Sequence, residues 1–483
     1  MNVFTQIMKN GVRITLALIF LITDHTLIQA QDFSYFYRVS FRDKGANTPS
    51  MFSPSDLLSQ RAIDRRIKSG IEVPDYTDLP VSREYINQVS ALGFTLHCTS
   101  RWMNTALFKT KDEAETSPLL SFPFVSEVEL VKRPAGKSSF ADKLETITSA
   151  DAPPPWDRPL TMVNGYPLHN AGYDGSGILI AVLDGGFTYA DKASSLALLR
   201  SRNGIKYTYD FVNNNTYVYN YHTHGTMVLS VLAGQIINAI RGTAPDADFM
   251  LLRTEDGASE FPVEEDFWAA GAEFADSSGA DIISSSLGYF TFDAPEMNHT
   301  YADLDGNTTF ITRAADIAAS KGIVVVNSAG NERNKPWLRI IAPSDGDSVL
   351  SSAAVDGYNK ISAFSSAGPS ADGQVKPDIA TLGVSIVVQA NETQLARLSG
   401  TSFSCPVLSG MTACLMEAVP EADVMEIIDA LHSSADRYNN PDSLYGYGIP
   451  DMNRTLSILQ DLYLVAILEA PDDGAPRLGA DVQ

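Results

Sequence analysis

Cysteine is scarce in this chain of 483 residues, which holds three: Cys98, Cys405 and Cys414. If Cys405 and Cys414 share a helix, a rise of 1.5 Å per residue sets them ~13 Å apart, beyond the ~7 Å between Cα atoms that a disulfide tolerates. Cys98 lies in another region, so a disulfide-stapled scaffold is excluded and stability has to come from a core and from any ions held. Positive charge is also short. Lys plus Arg number 35 against 58 Asp plus Glu, a net charge of −23, and such a surface repels phosphate backbones, so nucleic acid is not an expected partner. Long hydrophobic runs are missing as well. The uncharged run Ile14 to Ile22 is less than half the ~20 residues that a spanning helix needs, so no stable membrane span is expected.

What the chain does have is an ordinary globular balance, 44% hydrophobic and 19% charged residues, which excludes a wholly disordered polymer. Lys9 and Arg13 precede the short apolar run, Asp24 and His25 end it, and Ile28-Gln29-Ala30 follows. That order reads as a cleaved signal peptide over 1–30 and implies export to a periplasm or the exterior; a membrane anchor would need a longer run. The acidic excess is uneven: residues 31–133 carry 13 basic and 13 acidic residues, whereas 134–483 carry 20 and 44. Two regions of different character therefore meet near 134.

Residues 31–133 read as a small α+β unit. Strands are expected at Phe33 to Phe41, Phe94 to Cys98, Asn104 to Lys109 and Val128 to Val131. Helices are expected from Ser53 to Gly70 and from Ser82 to Leu92, each closed by glycine. The stretch 134–158, with Ala135-Gly136-Lys137-Ser138-Ser139 and Pro153-Pro154-Pro155, reads as an exposed linker. Beyond it apolar strands alternate with helices: Gly177 to Asp184, Asp248 to Arg253, Asp281 to Ser285, Gly322 to Ser328 and Val349 to Ala354 against Gly225 to Gly234, Val263 to Ser278, Ile311 to Lys321 and Ser402 to Ala418. Runs apolar on both faces predict an α/β fold, a doubly wound and mostly parallel sheet between helices. Residues 159–458 would form this domain and 459–483 a tail.

Four elements carry chemistry. Asp184 closes an apolar strand before Gly185-Gly186; alone it is as easily a helix cap. His224, in His222-Thr223-His224-Gly225-Thr226, opens a buried helix, and its spacing from His222 also suits a metal. Ser402, in Gly400-Thr401-Ser402-Phe403-Ser404-Cys405-Pro406, stands at a helix N-terminus, where the macrodipole and free N–H groups favour developing negative charge; taken alone it is an N-cap serine. Asn331, after Ser328-Ala329-Gly330, is either a turn residue or an amide donor.

In the order Asp, His, Asn, Ser, these stretches resemble the subtilisin-like serine proteases, the subtilases. Ser285-Ser286-Leu287-Gly288 and Phe364-Ser365-Ser366-Ala367-Gly368-Pro369 with Lys376-Pro377-Asp378 add to the likeness, which covers about 165–452. It implies a serine endopeptidase acting on polypeptides through an acyl-enzyme. Ser402 would be nucleophile, His224 general base and Asp184 the group fixing the imidazole, with Asn331 and the Ser402 N–H as oxyanion hole. It further implies that Ser286, Leu287 and Gly288 offer an edge to an extended substrate, while Ser328, Ala329 and Gly330 wall the primary pocket; small residues there suggest an open pocket and broad specificity. No cofactor would be required for the chemistry, though structural calcium is common in the family. Asp303, Asp305 and Asn307 are ligands or turn residues, since Thr308 stands where a calcium-loop glycine belongs. The block 31–133 would be a prosegment, an intramolecular inhibitor cut away between Val131 and Arg158. Thr381-Leu382-Gly383 departs from the family pattern. Two other readings stay open: an inactive subtilase-fold binding module, and a metal-dependent hydrolase built on His222 and His224.

Overall fold

The computed structural model describes residues 34–134 and 153–469, so the expected signal peptide, most of the linker and the end of the tail lie outside the described residues. Strand β1 (Tyr35–Phe41), helix α1 (Gln60–Lys68), helix α2 (Arg83–Ser90) and strands β2 (Thr95–Ser100), β3 (Thr105–Thr110) and β4 (Val125–Lys132) make the first unit. Its antiparallel sheet has the order β2-β3-β1-β4. The aromatic residues and Val39 of β1, buried along most of its length, suit a strand packed within a sheet. The helix expected from Ser53 onward is interrupted: Leu58 is extended, and the Ser59 hydroxyl restarts the helix by accepting the Ala62 N–H, a competing N-cap inside the apolar pattern.

The second unit is a seven-stranded parallel sheet. In chain order its parts are β5 (Leu179–Asp184), β6 (Ile205–Asp210), α3 (His224–Ala233), β7 (Asp248–Arg253), α4 (Val263–Ser278), β8 (Ile282–Ser285), α5 (Phe310–Ser320), β9 (Val324–Ser328), β10 (Val349–Val355), β11 (Ile379–Leu382), a hairpin of β12 (Ile386–Gln389) and β13 (Leu395–Leu398), α6 (Thr401–Ala418), α7 (Val424–Ser434) and α8 (Met452–Glu469). The sheet order is β11-β10-β9-β8-β5-β7-β6, with parallel registers throughout. Strand succession reverses between β5 and β8, and the crevice outside the carboxyl ends at such a point is where open α/β sheets bind ligands. Asp184, Ser285 and Ser328 stand at those ends. The expected tail is corrected here, because α8 runs through 459 and on to Glu469. The linker is shortened too: Arg158 begins a helical turn, and its guanidinium donates to the Gly357 carbonyl at 3.0 Å.

The first unit lies on α4 and α5 along a seam of charge. Arg38 grips Asp266 with Nε–Oδ1 2.9 Å and Nη2–Oδ2 2.6 Å, and its guanidinium stacks 3.8 Å above the Phe310 ring. Arg66, fully buried, clasps both oxygens of Asp78 at 2.6 and 2.8 Å and also reaches Asp276, which Arg65 shares. Glu273 accepts from the Ser100 hydroxyl and from the N–H groups of Arg101 and Trp102. Burial pushes the Asp266 carboxyl up to about 6 against the pull of Arg38; where desolvation outweighs attraction, a pair specifies geometry more than it adds affinity. Phe36, Trp102, Leu107 and Val131 belong to the same apolar cluster as the large sheet, while Tyr37, Val39 and Phe108 build a separate core beneath the small one.

Candidate active site

Asp184 is fully buried where β5 ends, and its carboxylate accepts the Gly185 N–H at 2.7 Å. Both its oxygens lie against Nδ1 of His224, at 3.0 and 2.9 Å. A ring nitrogen facing a carboxylate carries the proton, leaving Nε2 as the basic position. His224 is the first residue of α3 and 2% exposed. What lets it approach is Gly225: its N–H donates to the Gly186 carbonyl at 3.1 Å, and a Cβ there would stand 2.5 Å from that oxygen. The His222 Nδ1 accepts the His224 N–H at 3.1 Å and so serves a free amide of the helix start.

Ser402 is the second residue of α6, partly exposed amid buried neighbours. The Phe403 ring centroid is 6.0 Å from that of His224. Pro406 has no N–H to return to the carbonyl four residues back, and that carbonyl belongs to Ser402. The Ser286 hydroxyl donates to it at 2.9 Å. Ser286, expected at a substrate edge, thus has its side chain turned inward to hold Ser402. Asn331 comes in from the end of β9. Its Oδ1 accepts from the Thr401 N–H and the Thr401 hydroxyl, both at 3.0 Å, which aims Nδ2 the other way. A Cβ placed on Gly400 would lie 3.7 Å from Asn331 Nδ2 and 3.7 Å from the Ser402 nitrogen, so both nitrogens flank the small space that this glycine leaves. Thr401 was missed as a site residue by the sequence reading; its position beside Ser402 was the signal available.

The remaining site residues divide between surface and support. Gly288 is half-buried, whereas Leu287, Ser328, Ala329 and Gly330 are buried. The Leu287 carbonyl accepts from Asn327 Nδ2 at 3.0 Å and the Ser328 carbonyl from Ser344 Oγ at 2.7 Å, so those carbonyls brace the walls. Cys405 is buried beneath the site, and burial pushes its thiol up to about 11, which makes it packing and not a nucleophile. Cys98, Cys405 and Cys414 form no disulfide.

The carboxylates near 303–307 act within turns. Asp303 caps the turn at Thr300 through its N–H and hydroxyl, and Asp305 accepts from Asn307, Thr308 and the Thr308 hydroxyl. Ligand oxygens so engaged do not fit a calcium loop. Among the described residues, the His, Cys, Asp and Glu side chains close enough to share a metal ion are Glu255, Glu260 and Glu264; Glu255 accepts from the Tyr289 hydroxyl and Glu264 from the Asp256 N–H. Neither His222 nor His224 is in that group. No described helix is long and apolar enough to cross a membrane.

The sequence profile of the subtilase family matches residues 175–448. A second profile, the peptidase S8 propeptide domain of Bacteroidota, matches 36–146, running past 133 into the stretch read as linker. The chain is similar to a thermophilic serine proteinase of Bacillus sp. (strain AK1), 29% identical over 275 residues that cover 56% of this chain and 60% of that one. It is also similar to subtilisin E of Bacillus subtilis (strain 168), 29% identical over 297 residues, 60% of this chain and 68% of the other. Among solved structures, fervidolysin from Fervidobacterium pennivorans, a keratinolytic enzyme related to subtilisin, superposes with a TM-score of 0.61 at 18% identity, covering 88% of this chain and 61% of that one. At that identity the likeness speaks for the fold.

Proposed function

The chain belongs to the subtilase family, and from that premise we propose that it is an exported serine endopeptidase, made as a zymogen, that cleaves polypeptides through Ser402, His224 and Asp184. The observation that carries this reading is the His224 ring, held by both Asp184 oxygens at the start of a buried helix and next to the helix bearing Ser402. Ser402 Oγ attacks the scissile carbonyl while His224 Nε2 takes its proton. Asp184 keeps the proton on Nδ1 in place and stabilises the imidazolium. The oxyanion forms between Asn331 Nδ2 and the Ser402 N–H. His224 then protonates the leaving amine, and water, deprotonated by the same ring, releases the acyl group from Ser402. No cofactor enters this chemistry.

The block 31–133 is the prosegment and inhibitor in this reading, 134–157 the linker that is cut, and the peptidase runs from Arg158 through α8, with 1–30 removed on export. The test is mass spectrometry of the purified protein: two fragments should appear, separated by a cut between Val131 and Arg158. A lasting single chain that a fluorophosphonate leaves unlabelled would favour the binding module instead.

Two further outcomes follow. On the acid side kcat/KM should fall about tenfold per pH unit as the His224 ring becomes protonated, because only neutral imidazole accepts the Ser402 proton; a flat profile from acid to neutral pH contradicts the mechanism. Thr401→Val keeps the shape but removes the hydroxyl that fixes Asn331 and also accepts the Gly330 N–H at 3.2 Å. A loss of about 1–2 kcal/mol is expected in kcat, with KM little changed, in steady-state assays on a peptide amide.

A further inference from the structure

The glycines on the two walls open onto one side chain. A Cβ placed on Gly288 would lie 2.4 Å from Cδ1 and 2.5 Å from Cγ1 of Ile341, and one placed on Gly330 would lie 3.0 Å from both atoms. The space that these glycines leave is therefore filled. Ile341 is buried, 8% exposed, between the fully buried Ile340 and Ala342, and its side-chain tip sits between the two wall glycines. Its backbone is pinned on either side. Tyr289 and Ala342 exchange N–H to carbonyl bonds at 2.9 and 3.2 Å, the Ile340 N–H donates to Ala367 at 3.0 Å, and the Ile341 carbonyl accepts from Ser344 at 2.9 Å. A β-branched side chain on a fixed backbone has little rotamer freedom with which to withdraw.

We propose that Ile341 stops the primary pocket, so that the enzyme cleaves after glycine and alanine and rejects large apolar and aromatic residues at that position. This rests on reading Ser286 to Gly288 and Ser328 to Gly330 as the pocket walls of a peptidase, and it replaces the broad specificity that small wall residues alone suggested. Each methylene that a pocket cannot house changes the rate about 10–200-fold, so a benzyl group against the stop loses far more than a methyl.

The experiment uses the processed enzyme and fluorogenic peptides identical except for Gly, Ala, Leu or Phe at the attacked carbonyl. Wild type should show kcat/KM for Ala at least ~100-fold above Phe, and Ile341→Gly should raise the Phe-to-Ala ratio by a similar factor, with Ile341→Ala between. Fluorophosphonate labelling of each variant reports whether its site is intact, and if neither folds, the wild-type series decides alone. Wild type that cleaves after Phe and Ala within about threefold overturns the proposal, as do labelled variants with an unchanged ratio. Failure with labelling intact concerns the pocket only; absence of both labelling and cleavage in wild type removes the peptidase reading and this one together.

Discussion

Ser402→Ala will leave the chain in one piece, unlabelled by fluorophosphonates and without measurable peptide cleavage. In subtilisin, the relative whose triad has been dissected, losing the serine costs about 10⁶-fold in kcat, and that magnitude is carried over by resemblance. The argument for this chain is local. Pro406 frees the Ser402 carbonyl, Ser286 takes it up, and Asn331 is oriented from the adjacent residue, so several contacts fix one partly exposed hydroxyl-bearing residue with no structural task of its own. Removing its oxygen should barely alter thermal unfolding while ending the chemistry. A variant that still processes itself, or still reacts with the probe, would place the nucleophile elsewhere.

The second large effect concerns stability. In the Ser402→Ala background, which keeps the zymogen whole, Arg66→Met should destabilise the intact chain by about 3–5 kcal/mol, read from denaturant midpoints. Methionine replaces most of the volume, but Asp78 and Asp276, both fully buried, lose the guanidinium that bridged them. Lys192→Met is the control. Its pair with Glu392 is about half exposed on both sides, and such pairs contribute little in water, so no measurable change is expected. Equal effects of the two substitutions would mean that the seam is no more than surface charge.

Much of this architecture was legible in the order of residues because burial on both faces leaves a plain signature. Ile178 to Leu183 and Ile323 to Val326 are uninterrupted apolar runs and form β5 and β9. Helix α4 was placed at both ends, with Gly279 taking the left-handed turn at φ 92° that stops it. The edge strands escaped notice. Ile205–Asp210 is largely solvated, and Ile379–Leu382, though buried throughout, is only four residues long with a polar Thr381 inside it, so neither shows a long apolar run. Helix α7 was missed although Asp423 and Glu426 form a capping box, a signal that was available and not used. The candidate site residues stood out because each sits near a strand end or a helix start, within two residues of a glycine. The parts played by Thr401, Ser286 and Ile341 were not, since each depends on a partner between about 50 and 120 positions away that only folding brings near.

The charged seam has a bearing on order of events. Residues 34–134 leave the ribosome before Asp266, Glu273 and Asp276 are made, and domains fold from the first-synthesised end onward. The carboxylates of α4 are thus made after their partners, which lie on β1 (Arg38), on α1 (Arg65 and Arg66) and at the end of β2 (Ser100 to Trp102). In the proposed zymogen that first unit is a guide for α4, and once it is cut away Asp266, Glu273 and Asp276 would face water with unmatched negative charge. A released enzyme of this kind, once unfolded, would have no such guide to return by.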